Sequence, residues 1–106
     1  MSVTRMRVTA NKLLLRIQEA ANSTSNVVFV PDLNRRSLAG MMTFHQAMSC
    51  LREGKIVGKP SMNEHNHWEL RMERYAANRT YSLKVIVECD GARVKKLIVF
   101  PQIEEV

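Results

Sequence analysis

The sequence predicts an α+β fold: an N-terminal helix, a short strand, short helices, then a three-stranded antiparallel meander with the helices on one of its faces. Apolar residues recur at helical spacing through residues 9–21. A mostly β-branched run follows at Val27-Val28-Phe29-Val30. From residue 67 onward polar and apolar residues alternate with the period of two that marks a half-buried strand, and Cys89-Asp90-Gly91-Ala92 is a two-residue hairpin signal.

Thr9 to Ala21 reads as the first helix. Leu13, Leu14 and Ile17, with Ala10 and Ala21, form its apolar face, Lys12, Arg16 and Glu19 its wet face, and Thr9 is a candidate cap. Asn22 to Asn26 is a loop by composition. Val27 to Val30 is a buried strand that Pro31 ends, and Asp32 can cap a following turn. A short helix is expected over Leu33–Met41, carrying Arg35 and Arg36 ahead of Gly40. Thr43-Phe44-His45-Gln46 has capping-box spacing, so a helix runs from there through Ala47, Met48 and Leu51 to a stop at Gly54. Ile56-Val57 is a short strand or an extended edge, and Pro60 to Asn66 a loop.

In the meander, Trp68, Leu70, Met72 and Ala76 fall on one parity, and His67, Glu69, Arg71, Glu73 and Tyr75 on the other. Asn78-Arg79 makes the next turn, alone or within a four-residue loop; either length keeps the parity. Counting outward from Asp90-Gly91 pairs Glu88 with Arg93, Val87 with Val94, Val85 with Lys96, Leu83 with Ile98 and Tyr81 with Phe100. That register places Tyr81, Leu83, Val85, Val87, Val94, Ile98 and Phe100 on the apolar face. Ser82, Lys84 and Lys95 then join the His67–Tyr75 row on the other face. Leu97 to Phe100 is apolar on both parities, which marks a central strand whose second face is not fully wet.

A chain of 106 residues corresponds to one domain, spanning 1–106, and 45% hydrophobic content is enough for one core. No apolar run approaches the roughly 20 residues that span a bilayer, so no membrane association is expected. The N-terminus lacks the apolar block of a signal peptide. Cys50 and Cys89, without a disulfide or zinc pattern, read as free thiols of a cytoplasmic protein. A net charge of +6 and a pI near 9.8 favour a polyanionic partner, nucleic acid first, although the same field attracts an acidic protein.

The polar row of the meander offers an imidazole, two carboxylates, a guanidinium and a phenol, which are groups that hold phosphate and move protons. The plain alternative is a solvated sheet face with Glu–Arg pairs. Arg35 and Arg36 are candidates for phosphate contact, or a solvated pair. His65-x-His67 lacks a third metal ligand, and no metal or cofactor is expected. The seven Met read as core filler. No phosphate-cradling glycine loop, nucleophile elbow or EF-hand loop is present.

Over about residues 9–101 the order of elements resembles the RelE-like superfamily of small bacterial RNases, the toxins of toxin–antitoxin pairs, and most of all its BrnT-like and MqsR-like branches. The residues that carry the resemblance are Trp68-Glu69, the segment Tyr81-Ser82-Leu83-Lys84-Val85-Ile86, the closing strand Lys96-Leu97-Ile98-Val99-Phe100, and Gly54-Lys55-Ile56-Val57-Gly58-Lys59-Pro60. Ser82 stands where the family has an aromatic residue, and Glu69 where it has Gln. The resemblance implies a RelE-like sheet and metal-independent RNA cleavage by attack of the 2′-hydroxyl on the adjacent phosphate. It also implies an RNA substrate, on or off the ribosome, and an acidic antitoxin. In such a site Arg71 and Lys84 are the cations, His67 a base or acid, and Glu69 or Glu73 an alternative base. Tyr75 or Tyr81 stacks on a base or donates a proton, and Arg35, Arg36, Tyr81 and Lys95 extend the RNA contact. Three functions therefore fit: an RNA-cleaving toxin, a non-catalytic nucleic-acid-binding or regulatory protein on the same scaffold, and a protein-binding inhibitor module.

Overall fold

The structure, a computed structural model, describes residues 10–30, 42–76, 78–90 and 93–102. The short helix expected over Leu33–Met41, the Thr9 cap, and Gly91 and Ala92 of the hairpin lie outside the described residues.

Helix α1 (Ala10–Ala20) buries Leu13 and Ile17, and Ala21 just beyond it, as the stripe predicts, but Ala10 is exposed and Ala20 is buried in addition. A 3-10 turn over Thr24–Asn26 leads into strand β1 (Val27–Phe29). Helix α2 (Phe44–Glu53) begins in the predicted capping box. The Gln46 N–H donates to Thr43 Oγ1 (3.1 Å) and the Thr43 N–H to Gln46 Oε1 (2.8 Å). It ends at Gly54, which lies so close to neighbouring backbone that a Cβ there would sit 2.5 Å from the Cys50 carbonyl oxygen and 2.7 Å from that of Glu73.

Strands β2 (Lys55–Met62), β3 (Trp68–Ala76), β4 (Arg79–Asp90) and β5 (Arg93–Gln102) complete a five-stranded mixed sheet in the order β1-β5-β4-β3-β2. The predicted three-strand meander is its centre, β3-β4-β5. Two edges extend it. β1 pairs in parallel with β5, matching Val28 to Ile98, and β2 pairs antiparallel with β3. β2 is longer than the Ile56-Val57 strand expected, and takes in residues read as loop. Gly58 and Pro60 signal a break in sequence, but an edge strand tolerates both at a bulge.

The β3–β4 turn does not centre on Asn78-Arg79: Asn78 takes φ 63° and Arg79 is already in β4, facing Ala76. The parity holds: Trp68 faces Val87, Leu70 faces Val85 and Met72 faces Leu83. The β4–β5 register differs from the expected one. Asp90 faces Arg93 and Cys89 faces Val94, then Lys95 is bulged out so that Glu88 faces Lys96 and Val85 faces Val99. The extra residue turns the rest of β5 over. Leu97, Val99 and Pro101 point to the helices, and Ile98 and Phe100 to the other side, the reverse of the expected assignment.

Both helices pack on the face formed by Leu70, Met72, Tyr81, Leu83, Val85, Val87, Leu97 and Val99, with Trp68 and Val94 half-buried at its margin. The helix ends are tied together: Arg52 Nε and Nη2 donate to the Ala21 carbonyl (3.2 and 3.1 Å) and Gln18 Nε2 donates to the Arg52 carbonyl (3.1 Å). No described helix is long and apolar enough to cross a membrane.

Candidate nucleic-acid interface

The second face of the sheet carries the odd-numbered residues of β3 and the even-numbered residues of β4. The registers arrange them in rows across the strands. One row runs Val57, Arg71, Lys84, Phe100, and the next Ser61, Glu69, Ile86, Ile98, Val28. The charged residues of both rows lie on β3 and β4, and each row is apolar at the β5–β1 end.

At the polar end an open groove of about 410 Å³ is lined by Val57, Gly58, Lys59, Ser61, Glu69, Leu70, Arg71 and Lys84. Its cause is the β2 bulge. Val57 faces Arg71 and Ser61 faces Glu69, so Gly58, Lys59 and Pro60 together oppose Leu70 alone. Gly58 takes φ 76°, which any Cβ would strain, although nothing lies within 4 Å of where that Cβ would be. The bulge lifts Lys59 over the groove beside Arg71 and Lys84.

Arg71 and Lys84 face each other directly across β3 and β4. Like charges so placed repel. Lys84 leans away, its Nζ 3.8 Å from Glu69 Oε1 and 5.5 Å from the Phe100 ring centroid. Arg71 is exposed and has no hydrogen-bond or ion-pair partner among the described residues. Glu69 is positioned from its other side, where Asn63 Nδ2 donates to Oε2 (3.0 Å). Asn63 also organises the β2–β3 turn, its Oδ1 accepting from the backbone N–H groups of His65 (2.8 Å) and His67 (3.0 Å).

No family model, curated protein or solved structure matches the chain. The site therefore rests on its own geometry.

Of the predicted site residues, Glu69, Arg71 and Lys84 come together in the groove. Glu73 shares their face one row along, opposite Ser82. His67 lies just before β3, two residues from Glu69, or about 7 Å at the rise of a strand. Tyr75 is at the far end, 70% exposed, its hydroxyl donating to Asn78 Oδ1 (3.3 Å). Eight residues of extended chain separate it from His67, roughly 26 Å, so these two cannot act on one phosphate.

Tyr81 does not contact nucleic acid from this face. It points to the helices, 6% exposed, and its hydroxyl accepts from Gln46 Nε2 (3.1 Å). Lys95 does not join the Lys84 row, because it is the bulged residue and lies by Asn26, Asp90 and Arg93. Arg35 and Arg36 lie outside the described residues. His65 and His67 stand with ring centroids 6.3 Å apart, and no group of three His, Cys, Asp or Glu side chains suited to a metal occurs among the described residues.

Sequence reasoning misses Lys59, Ser61 and Asn63, because Ile56-Val57 before Gly58 reads as a strand that ends there. The available signal was Gly58-Lys59-Pro60 itself, a combination typical of a protected edge strand. It also left Arg74 unassigned. Arg74 pairs with Glu53 (2.8 Å) and closes the rim between α2 and β3.

Proposed function

We propose that the open sheet face binds RNA through its phosphate backbone, with the β2-bulge groove as the seat of one phosphate. The observation that carries this is the cross-strand pair Arg71 and Lys84, joined by Lys59 in the same groove. Two cations opposite one another cost stability in the free protein. A phosphate between them turns that repulsion into two charge-assisted contacts, and the planar fork of Arg71 suits its oxygens. The net charge of +6 adds long-range attraction. Glu69 favours RNA over DNA: a carboxylate beside a bound phosphate is an acceptor for a ribose 2′-hydroxyl, the group that distinguishes the two. The free thiols Cys50 and Cys89 fit a reducing, cytoplasmic setting for such a protein.

RNA cleavage is the second function, favoured by the carboxylate in the same groove as the cations. Glu69 takes the 2′-hydroxyl proton, Arg71 and Lys84 stabilise the phosphorane, and His67 protonates the leaving 5′-oxygen. This is the chemistry of the RelE-like toxins, with three of its groups in the groove and His67 reaching in from just before β3, about 7 Å from Glu69 along the strand.

Fluorescence anisotropy with a labelled single-stranded RNA tests binding. Arg71→Ala and Lys84→Ala should each weaken it at low salt while the fold is retained; unchanged affinity in both rejects the groove as the contact. Incubating the protein with RNA in EDTA, with and without ribosomes, and mapping the ends tests cleavage. Products with a 2′,3′-cyclic phosphate that disappear in Glu69→Gln are expected if the groove is catalytic. Intact RNA leaves a binding protein.

A further inference from the structure

We infer that the apolar half of the open face, Phe100 with Ile86 and Ile98, is a platform for an unpaired RNA base whose phosphate occupies the neighbouring groove. The inference rests on the RNA function proposed above and adds a second, independent contact to it.

The register sets the geometry. Arg71, Lys84 and Phe100 are consecutive members of one row across β3, β4 and β5. At a strand spacing of about 4.8 Å, Phe100 lies roughly 5 Å from Lys84 and roughly 10 Å from Arg71 along the row. The reach from a nucleotide's phosphate to its base is of that order. Ile86 and Ile98, paired with each other in the adjacent row, extend the apolar surface beside the ring.

No described helix covers this face. Phe100, Ile86 and Ile98 are only half-buried, and Val28 and Val30 at the β1 edge are 41% and 44% exposed. The exposed large apolar residues described are Leu15, Val28, Val30 and Tyr75, and two of the four stand at this one edge. That makes a patch rather than a scatter, and a patch bordered by cations marks a ligand that is both apolar and anionic. A nucleotide has this pairing of properties.

Lys84 connects the two halves. Its ammonium lies over the Phe100 ring at 5.5 Å and 3.8 Å from Glu69, neither a close contact. A phosphate beside Arg71 draws the ammonium toward the groove and uncovers the ring. Stacking of a base outweighs an exposed cation–π contact of this length. The ligand must be single-stranded, because a base stacked in a duplex has no free face to offer a flat sheet, and A-form RNA presents only base edges and 2′-hydroxyls in its shallow minor groove.

The test uses the full chain with labelled single-stranded RNA, the same RNA as a duplex, and inorganic polyphosphate as competitor. Phe100→Leu keeps apolar volume but removes the ring, and Phe100→Tyr keeps the ring; a thermal melt checks that both are folded. Phe100→Leu should weaken single-stranded RNA binding on the order of 10-fold and leave polyphosphate binding unchanged. Phe100→Tyr should bind like the parent, and the duplex more weakly than the single strand. RNA affinity indifferent to Phe100→Leu, or equal losses for RNA and polyphosphate, overturns the platform while leaving the phosphate groove intact. Failure of the parent to bind either ligand overturns the RNA function itself, and the platform with it. Concentration-dependent self-association that is lost in Ile98→Ser and not reversed by RNA overturns it in favour of a second copy of the chain.

Discussion

The two faces of the sheet alternate residue by residue along the same strands, yet they follow different rules. On the helix face, Met72, Leu83, Val85, Val87, Leu97 and Val99 are fully buried, and Leu70 nearly so. On the open face, Arg71 opposes Lys84, Glu88 opposes Lys96, and Ile86 opposes Ile98 without a described layer above them. Burial accounts for the first face completely. It does not account for the second, where a like-charge pair and a half-buried apolar patch both run against stability. Features that cost stability and persist point to what a surface does. The helix face holds the fold, and the open face is where we propose that the ligand binds.

The sharpest way to break this contrast is to delete volume on one face and charge on the other, at adjacent positions of β4. Leu83→Ala should cost about 2–5 kcal/mol, the range for emptying a fully buried leucine site, and should lower Tm by about 4–8 °C per kcal/mol. Lys84→Ala, one residue on, should change stability by no more than about 0.5 kcal/mol. Equal melts for the two variants would erase the distinction between the faces.

Gly54→Ala comes next. Its Cβ would meet two backbone oxygens, neither of which can move without shifting α2 or β3. A loss of about 1–3 kcal/mol is expected, as for overpacking, and chemical denaturation measures it. An unchanged midpoint would mean that α2 and β3 are not held at this close approach.

Cys50 reports on the helix-face core through pH. Burial pushes its thiol up from 9.0 to about 12, against a smaller downward pull from Arg74. The folded state therefore holds a proton that the unfolded chain releases above about 9. The stability linked to Cys50 is complete below about 9 and falls as pH rises toward about 12, by about 1.4 kcal/mol per pH unit within that window. Cys50→Ala should flatten that part of the alkaline melting curve. A curve of the same steepness in the variant would place the thiol outside the core.

The smallest stability effect is expected from Arg71→Ala. Relief of the repulsion with Lys84 should leave the protein as stable as the parent or more so, by a few tenths of a kcal/mol, although RNA affinity falls. A clear loss of stability would show that Arg71 has a structural role.

The sequence made one face legible and half of the other. Strict alternation in Trp68 to Met72, and alternation broken only by Ile86 in Leu83 to Val87, fix parity even when a turn is misplaced by a residue, so Glu69, Arg71 and Lys84 are legible. Thr43 and Gln46 announce α2 because both halves of a capping box are local. The β5 register was not legible. Leu97-Ile98-Val99-Phe100 offers an apolar residue to either face, and opposite charges meet in both registers: Glu88 with Arg93 in the expected one, Glu88 with Lys96 and Asp90 with Arg93 in the observed one. Neither hydrophobicity nor charge could choose, and a single bulged Lys95 decided it. Phe100 was thereby assigned to the core when it lies beside Lys84. The groove was hidden for a related reason. Gly58 and Pro60 break a strand locally but are tolerated at the edge of a sheet, and edge position is a property of the assembled fold.

The most direct test of the central claim is the salt dependence of single-stranded RNA binding, compared between the parent and the Arg71→Ala, Lys84→Ala double variant. Each lost phosphate contact should reduce the slope of log affinity against log salt by about 1, so the account predicts a slope shallower by about 2 with the melt preserved. An unchanged slope and affinity in a folded double variant would contradict it.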